Sequence, residues 1–371
     1  MRVLITGANG FVGKNLSATL RTRHDVELFE HGRGGDPARL RTALGAADVV
    51  FHLAGVNRPR RVEEFATGNA GFTAEVCGML REAGRRAKVV LTSSIQADLD
   101  NPYGKSKRAA ELELERHCAA TGAEGAVYRL KNLFGKWSRP GYNTVTATFC
   151  HNIARGLPVE ISDPACVLSL TDVDDVVDAF VAELERPRRP GCHLRDPLPS
   201  YDITLGELAA TLRGFLAQRE TLALPDCASK FTRALYATYL SFVEPERHGY
   251  VLASKADGRG SLAEFVKSPH GGQLFVSRTK PGVTRGDHWH RGKAEKFMVV
   301  EGEGVIRLRD VHGTRVIEFA VRGDEYRVVD IPPGYVHSIE NVGAGELVTL
   351  FWASEIFDPA RPDTFALPVK P

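Results

Sequence analysis

Cysteine is sparse in this chain of 371 residues, which has six cysteines, none in a Cys-x-x-Cys pair and none after Cys227. Thiols scattered in this way build neither a disulfide framework nor a cysteine-based zinc site, and they are typical of proteins in the reducing cytosol. The sequence also lacks an apolar run of the ~18 residues that a membrane span needs. The opening stretch MRVLITG leads directly into a strand, without a charged-then-apolar export signal. We therefore expect a cytoplasmic protein with no membrane insertion.

The chain also has no large excess of positive or negative charge. The chain has 48 lysines and arginines against 46 aspartates and glutamates, and its formal net charge is +2. The basic run Glu185–Gly191 is short and broken by prolines, which indicates a solvated loop. Without a basic face or an arginine-rich tail, we expect no nucleic-acid partner. The length predicts two domains of ~100–200 residues each.

Two kinds of pattern divide the chain. The first half alternates β-branched apolar runs such as RVLIT and KVVLTSS with helical stretches such as FTAEVCGMLREAG. This alternation predicts an α/β Rossmann-like, doubly wound parallel sheet. After about Ser254, runs such as GQLFVSRTKPG and EKFMVVEGEG predict short antiparallel strands that form an all-β sandwich or barrel. We place the two domains at residues 1–245 and 246–371.

A glycine-rich turn follows the first predicted strand. Gly7, Gly10 and Gly13 have the Gly-x-x-Gly-x-x-Gly spacing and open a helix. Glycines at these positions let backbone N–H groups and the positive helix end approach a pyrophosphate, so the turn predicts dinucleotide binding. The end of the second strand, Glu30–Arg33, carries both signs of charge, and Arg33 favours NADP over NAD.

The stretch SSIQADLDNPYGKSK carries the residues of a proton-transfer site. Tyr103 and Lys107 are four residues apart and share one face of a helix. A nearby ammonium favours the phenolate, so we expect a lowered pKa for Tyr103 and proton exchange with a carbinol oxygen. Ser94, at the end of the preceding strand, would orient the same oxygen. These three residues are the predicted catalytic group.

This part of the chain resembles the extended short-chain dehydrogenase/reductases that act on nucleotide sugars. The resemblance rests on TGANGFVG, HLAG, Asn69, the Ser-Ser pair, YGKSK and RLKNLFG. It implies that Asn132 contacts the sugar nucleotide and that Lys107 also contacts the nicotinamide ribose. It implies that the cofactor is bound by Gly7, Asn9, Gly10, Phe11, Val12, Gly13, Arg33, Leu53, Ala54, Tyr103 and Lys107.

Two segments depart from that family. Its dehydratases carry an Asp-Glu pair directly after the catalytic Ser or Thr, where this chain has Ile95 and Gln96. The acid and base that remove water are missing from this place, so we exclude dehydration. The family segment RDYIHVDD reads LSLTDVDD at Leu168–Asp175, without the arginine that supports the nucleotide phosphates. The diphosphate must therefore be held differently, or the pocket differs.

A second site is predicted late in the chain, in DHWHRGKAEKF and PPGYVHSIEN. His288 and His290 alternate on a strand and share a face, and Glu295 and His337 can converge on them. Three imidazoles and one carboxylate suit a divalent transition metal. The spacing resembles the cupin motifs, except that Tyr326 stands where a glycine is expected. Other histidines, such as His270 and His312, are interpreted as surface or packing residues.

Over nearly its whole length the chain resembles bifunctional capsular-polysaccharide enzymes, in which a nucleotide-sugar reductase is fused to a cupin. The resemblance implies that zinc in the cupin supports C3 epimerisation of a UDP-2-acetamido-2,6-dideoxy-4-hexulose. It implies that NADPH then reduces C4 to give UDP-2-acetamido-2,6-dideoxy-L-talose, a precursor of UDP-N-acetyl-L-fucosamine. It also implies a homodimer. The base that moves the C3 proton is left open among Lys293, Lys296 and Tyr335.

Two other readings stay open at this point. In the first, the N-terminal domain is a nucleotide-sugar 4-epimerase that retains NAD and recycles its hydride, and the cupin is an accessory module. In the second, the cupin is a sugar-binding or oligomerisation module, and its histidines only brace the barrel.

Overall fold

The computed structural model describes residues Met1–Lys370, which form two compact units. Unit 1 contains Met1–Phe215 and Ser229–Glu244, and unit 2 contains Leu216–Ala228 and the chain from Pro245 on. The segment Leu216–Ala228 therefore groups with unit 2, although it precedes the boundary expected from the sequence. A local β-bridge between Ala223 and Lys267 accounts for this grouping.

The main sheet of unit 1 has six parallel strands in the order β2-β1-β3-β4-β5-β8. From β1, the chain adds β2 on one side of the sheet and β3, β4, β5 and β8 on the other, which is the doubly wound arrangement. This order confirms the predicted Rossmann-like parallel sheet. A small second sheet contains β6, β7 and β9. The strands of unit 1 are β1 (Arg2–Thr6), β2 (Glu27–His31), β3 (Val49–His52), β4 (Lys88–Ser94), β5 (Glu124–Leu130), β6 (Asn132–Phe134), β7 (Val167–Asp172), β8 (Gly191–Leu194) and β9 (Tyr201–Thr204).

Helices follow the strands, and several begin and end at residues suited to those positions. The Asn101 side chain caps the helix that carries Tyr103 by accepting from the Gly104 N–H, and Gly122 ends that helix with φ of 69°. A π-helical segment, Ala66–Gly71, lies before the fourth helix. The helices are α1 (Phe11–Leu20), α2 (Pro37–Ala46), α3 (Glu63–Phe65), α4 (Phe72–Glu82), α5 (Pro102–Thr121), α6 (Val145–Ala154), α7 (Val173–Glu185), α8 (Leu205–Thr221) and α9 (Lys230–Leu240).

The two faces of the main sheet bury separate apolar clusters, because successive side chains of a strand point to opposite faces. Leu4 of β1 packs in one cluster with residues of α2, α4 and α5. Its neighbours Val3 and Ile5 pack in the other cluster with residues of α1 and α7. Helices on both faces therefore explain why these strands are apolar throughout rather than alternating with polar residues.

A buried ion network joins the first residues of β4 and β5 to α7. Lys88 Nζ lies 2.6 Å from Glu183 Oε2 and 3.5 Å from Glu124 Oε1. Arg195 binds both carboxylates, and the Tyr128 hydroxyl donates to Glu183. Lys88 is 1% exposed. Because these charges are almost fully desolvated, each depends on its partners.

Unit 2 is built from two antiparallel sheets, which confirms the predicted β-rich second half. Their orders are β10-β11-β12-β19-β14-β17 and β16-β15-β18-β13-β20. Phe297, Ile306 and Phe351 belong to the apolar cluster to which both sheets contribute. The strands are β10 (Ser254–Asp257), β11 (Gly260–Ser268), β12 (Gly272–Thr279), β13 (Thr284–Trp289), β14 (Glu295–Glu301), β15 (Glu303–Asp310), β16 (Val316–Arg322), β17 (Val328–Ile331), β18 (Tyr335–Asn341), β19 (Leu347–Ala353) and β20 (Phe365–Ala366).

Candidate functional site

The glycine-rich turn between β1 and α1 brings three backbone segments into contact. Gly7 has φ of +74°, and a Cβ there would lie 2.7 Å from the Ala54 nitrogen. A Cβ on Gly13 would lie 2.2 Å from the Gly7 carbonyl oxygen. Helix α1 begins after Gly10 without a side-chain cap, so its first N–H groups remain available to an anion. The turn therefore fits the pyrophosphate of a dinucleotide.

The other predicted cofactor residues surround this turn. The Asn9 side chain lies against Gly32, where a Cβ would be 2.2 Å from Asn9 Nδ2. Glu30, at the end of β2, pairs with Arg21 at 2.5 Å. Arg33 is exposed and makes no ion pair with any residue in Met1–Lys370. The remaining predicted cofactor residues lie in the segments that meet at this turn: Phe11 and Val12 open α1, and Leu53 and Ala54 follow β3.

The structure brings Ser94, Tyr103 and Lys107 together at the carboxyl end of β4. Ser94 ends this strand and is buried, and its hydroxyl lies close enough to the Tyr103 phenol to influence the pKa of that group. Lys107 lies one turn after Tyr103 in α5, and its ammonium donates to the Thr92 carbonyl at 2.8 Å. These three side chains, from β4 and α5, therefore form one polar cluster although they are separated in the sequence.

The expected lowering of the Tyr103 pKa is wrong for this structure. Burial raises the pKa of Tyr103, and the hydrogen bond with Ser94 only partly opposes this effect. Lys107 does not act on the phenol as expected, because its ammonium is held by the Thr92 carbonyl. Burial also lowers the pKa of Lys107 to about 8, with Glu111 opposing. Tyr103 is thus held as a protonated phenol, which is the form that donates a proton to a carbonyl oxygen.

Asn69 is a connecting residue whose role the sequence did not predict, although it matched the family pattern. It is buried in the π-helical segment, where its amide accepts from the Val56 N–H at 2.8 Å and donates to Ser106 Oγ at 2.9 Å. Ser106 in turn donates to the Tyr103 carbonyl at 2.7 Å. Asn69 therefore connects the loop after β3 to the helix of the catalytic group. Only the interrupted helical pattern around it could have indicated such a role.

Asn132 begins β6, where it pairs with Leu170 of β7, and it is exposed. A cavity opens close to it along the chain, at the carboxyl ends of β5 and β8. Its cationic residues are largely occupied, since Arg129 binds Glu111 and Lys131 donates to Ser200 Oγ at 2.8 Å. The cavity is lined by Ile95, Asp98, Arg129, Leu130, Lys131, Thr171, Leu194, Arg195, Pro197 and Leu198.

The four predicted metal ligands converge in unit 2. One ligand atom from each of His288, His290, Glu295 and His337 lies within 4.8 Å of the others. His288 on β13 is paired with His337 on β18, and Glu295 begins β14 in the other sheet. His290 lies just after β13 rather than on it, and a bulge between Gly286 and His288 shifts the register. The site is therefore assembled from both sheets.

The protonation of this cluster suits a cation. His290 Nδ1 lies 2.5 Å from the Asp363 carbonyl, and His337 Nδ1 lies 3.2 Å from the Tyr335 carbonyl. Donation from Nδ1 leaves the lone pair on Nε2. Both Nε2 atoms are buried without a hydrogen bond, although each lies 3.2 Å from Glu295 Oε2. These orphaned acceptors fit a bound metal ion.

Burial and charge act on two of these four groups. Burial lowers the pKa of His288 to about 4, and the adjacent imidazoles of His337 and His290 add to this effect. Burial alone would raise the pKa of Glu295, but hydrogen bonds and charge from His290 and His337 hold it well below its usual range, an effect that needs a proton on Nε2. A metal ion bound by the Nε2 lone pairs would take the place of those protons. A neutral His288 and an ionised Glu295 are forms that bind a divalent transition metal.

The three candidate bases occupy different environments. Lys296 alternates with Glu295 on β14, is exposed, and pairs with Asp330. Tyr335 is partly buried against the apolar cluster. Lys293 lies in the loop between β13 and β14 and is 7% exposed. Its ammonium makes no hydrogen bond or ion pair within Met1–Lys370, and Lys293 lies two residues before the predicted ligand Glu295 in the chain.

Family comparisons cover both units. Residues 3–193 match the NAD dependent epimerase/dehydratase family, and residues 255–365 match the polysaccharide biosynthesis C-terminal domain. None of the helices within Met1–Lys370 combines the length and the apolar character required to cross a membrane.

The chain is similar to two proteins over its whole length. It is 41% identical to a UDP-2-acetamido-2,6-β-L-arabino-hexul-4-ose reductase of Pseudomonas aeruginosa, covering 100% of this chain and 99% of the relative. A crystal structure of the capsular polysaccharide assembling protein CapF from Staphylococcus aureus matches with a TM-score of 0.91 and 43% identity. That match covers 99% of this chain and 100% of CapF.

A more distant structure supports the fold of the N-terminal part alone. The UDP-glucose 4-epimerase of Thermotoga maritima matches 65% of this chain and 98% of its own, with a TM-score of 0.53 and 19% identity. The family match over half of the chain and the two full-length matches show that the chain belongs to the NAD dependent epimerase/dehydratase family, as a nucleotide-sugar reductase of the two-domain type that includes CapF.

Proposed function

We propose that this protein is a bifunctional, cytoplasmic enzyme of capsule or O-antigen polysaccharide synthesis. A zinc-dependent cupin in unit 2 epimerises C3 of a UDP-2-acetamido-2,6-dideoxy-4-hexulose, and unit 1 reduces C4 with NADPH. The product would be UDP-2-acetamido-2,6-dideoxy-L-talose, the precursor of UDP-N-acetyl-L-fucosamine. One observation carries the proposal: the same chain contains the group of Ser94, Tyr103 and Lys107 and a buried cluster of three histidines and one glutamate.

The reduction follows from the protonated state of Tyr103. A dinucleotide held at the β1–α1 turn would supply the hydride for C4, and the partly buried Tyr103 phenol would donate its proton to the C4 oxygen as negative charge develops there. The Ser94 hydroxyl would orient that oxygen. The positive charge of the Lys107 ammonium would stabilise the negative charge that develops during the reaction. Arg33, exposed and without an ion pair, supports the choice of NADPH because it can accept the additional phosphate.

The epimerisation follows from the acidity of the carbon next to a ketone. A divalent cation held by His288, His290, Glu295 and His337 would supply Lewis-acid stabilisation of the negative charge that forms when C3 loses its proton. Of the three candidate bases, Lys293 fits best because it is close to the ligands along the chain and its amine has no hydrogen-bond or ion-pair partner in Met1–Lys370. Lys296 is already paired with Asp330 and exposed.

The two reactions also depend on each other chemically. While C4 is a ketone, C3 remains exchangeable and both configurations interconvert. Hydride addition at C4 removes the carbonyl, so the C3 proton is no longer acidic and the configuration is fixed. A reductase and an epimerase acting on the same keto sugar therefore form a coherent pair.

NADPH stoichiometry tests this function against a 4-epimerase that retains NAD. Protein purified without added cofactor is mixed with the UDP-linked 4-keto sugar and NADPH, and absorbance at the reduced nicotinamide band is followed. We expect one NADPH oxidised per sugar reduced. Tightly bound NAD in the purified protein, no NADPH oxidation with the keto sugar, and interconversion of the C4 epimers of a 4-hydroxy UDP-sugar without added cofactor would establish the 4-epimerase instead.

A further inference from the structure

A segment near the carboxyl terminus holds the loop that carries His290. We propose that this segment, Asp363–Val369, is a positioning element of the metal site, in which Asp363 fixes the orientation and tautomer of His290. We call it the C-terminal strap. The inference rests on the metal site proposed above and extends it to residues outside the four ligands.

Asp363 binds the metal-site loop through both its backbone and its side chain. Its carbonyl oxygen accepts from His290 Nδ1 at 2.5 Å. Its carboxylate accepts the three following backbone N–H groups, from Arg291 at 2.9 Å, Gly292 at 2.9 Å and Lys293 at 3.0 Å. One residue therefore fixes four consecutive residues of the loop, including one proposed ligand and the proposed base.

The next residues of the strap extend the sheet that carries His288. Strand β20 pairs with β13, with Ala366 opposite His288 and Phe365 opposite Trp289. The Trp289 and Phe365 rings stack with their centroids 4.8 Å apart and an interplanar angle of 29°. The strap thus covers the edge of β13 along the two residues before His290.

The end of the strap is anchored to β13 again and to one further strand, β15. The Leu367 N–H donates to the Asp287 carbonyl at 2.9 Å, and the Val369 N–H donates to Asp287 Oδ1 at 3.0 Å. The Arg309 guanidinium, which is 7% exposed, donates to the carbonyls of Pro368 and Val369, each at 2.9 Å. A buried arginine bound to the strap backbone shows that this segment is packed in place.

The expected consequence concerns metal affinity. Donation of the His290 Nδ1 proton to a fixed carbonyl keeps Nε2 as the free lone pair and limits rotation of the ring. Asp363 has φ of 39°, an unusual conformation for a residue other than glycine, and its carboxylate contacts hold it there. Loss of an outer partner of this kind lowers metal affinity by about 10- to 100-fold.

The experiment uses the full-length protein and zinc itself as the probe. Zinc affinity is measured by competition with a chromophoric chelator, and the visible spectrum of the Co²⁺-loaded protein reports ligand geometry. Asp363→Ala keeps the carbonyl that accepts from His290 but removes the carboxylate that holds this carbonyl in place, so it should bind zinc about 10-fold more weakly, the lower end of that range, and change the cobalt spectrum. Asp363→Asn retains one oxygen acceptor and should lose less affinity. Asp358→Ala is the control. Asp358 lies in the same carboxyl-terminal region, and its carboxylate accepts from the Ala360 N–H and pairs with Arg361.

The wild-type and variant results separate the two proposals. If the wild-type protein binds no zinc, the metal site and the role of the strap both fail. If the wild type binds zinc and both Asp363 variants bind it with the same affinity and cobalt spectrum, only the role of the strap is overturned. A purely structural role would lower the melting temperature of Asp363→Ala without changing the cobalt spectrum, and this outcome would also overturn the inference.

Discussion

The unpaired side-chain amine of Lys293 is the residue-level feature on which the proposed proton transfer depends. An amine that no carboxylate holds as an ammonium can lose its proton and then accept one from a substrate. Lys293 is 7% exposed, and its backbone N–H is held by Asp363 while its ammonium makes no bond within Met1–Lys370. The side chain is thus anchored at its base and available at its tip.

Lys293→Ala should lower deuterium incorporation at C3 of the keto sugar by about 100-fold or more, because a positioned base contributes that much to proton transfer. The measurement is proton NMR in deuterated water without NADPH. Lys296→Ala is the matched control and should change the rate less than about twofold, since Lys296 pairs with Asp330 at the surface. Loss of exchange in Tyr335→Phe, with normal exchange in Lys293→Ala, would assign the base to Tyr335.

At the residue scale, spacing predicted which side chains come together in unit 2. The four predicted ligands converge as the HxH pattern and the later Glu and His indicated, although His290 lies just after β13 rather than on it. Asp363 could not be found, because it lies 73 residues from His290 and acts largely through its backbone carbonyl. The pKa of Tyr103 was predicted in the wrong direction, since spacing does not reveal burial or the Thr92 carbonyl that holds Lys107.

At the scale of elements, the β1–α1 turn depends on close backbone approach. Gly13 lies in the first turn of α1, where an added Cβ would be 2.2 Å from the Gly7 carbonyl and 2.8 Å from Ala8 Cα. Both are backbone atoms, so the helix must shift to relieve the contact. A shift of α1 would move the N–H groups that face the pyrophosphate.

Gly13→Ala should destabilise the protein by about 1–3 kcal/mol and abolish measurable NADPH binding. Gly45→Ala is the control: Gly45 lies in α2, and a Cβ there would meet nothing within 4 Å. That variant should be more stable by about 0.5–1 kcal/mol because alanine favours the helix. Urea unfolding and NADPH titration check both. Normal NADPH binding by Gly13→Ala would contradict the role of this turn.

The ion network of β4, β5 and α7 gives a second test at this scale. Lys88→Met leaves Glu124 and Glu183 with Arg195 as their main cation, so we expect a loss of about 3 kcal/mol in the free energy of unfolding at pH 7. Lys105→Met, in an exposed pair with Asp100, should change it by less than about 0.5 kcal/mol. Equal effects of the two substitutions would contradict a stabilising network.

This network also predicts a pH dependence. Despite burial, bonds from Arg195, Lys88 and Tyr128 lower the pKa of Glu183 to about 2. A depressed carboxyl pKa stabilises the fold above the unfolded-state pKa of about 4.3, and this stabilisation is lost as pH falls toward 2. The loss between pH 5 and 2 should therefore be smaller in Lys88→Met, as measured by urea unfolding across that range.

Most elements could be predicted from the sequence because apolar strand runs alternate regularly with amphipathic helical stretches. The strands β1 to β5 and the helix that carries Tyr103 follow this pattern. The two-residue strand β20 and the π-helical segment around Asn69 could not be predicted, because neither shows a repeating pattern of apolar residues. Both are held by distant partners, Trp289 in one case and Val56 in the other.

In the molecule as a whole, each unit is proposed to carry out one reaction. Unit 1 contains the predicted catalytic group, and unit 2 contains the four predicted metal ligands. The grouping of Leu216–Ala228 with unit 2 could not be read from composition, since it depends on pairing of Ala223 with Lys267. The fold class of each unit was nevertheless predictable, because strand–helix alternation and helix-free strand runs specify different layer arrangements.

The most direct test of this division is one NMR experiment with Tyr103→Phe. The variant is incubated in deuterated water with the UDP-linked 4-keto sugar and NADPH, and the C3 proton and the nicotinamide signals are followed together. Because only the proton donor of the reductase is removed, we predict deuterium at C3 while NADPH remains intact. A C3 proton that does not exchange, or NADPH consumed at the wild-type rate, would contradict the account.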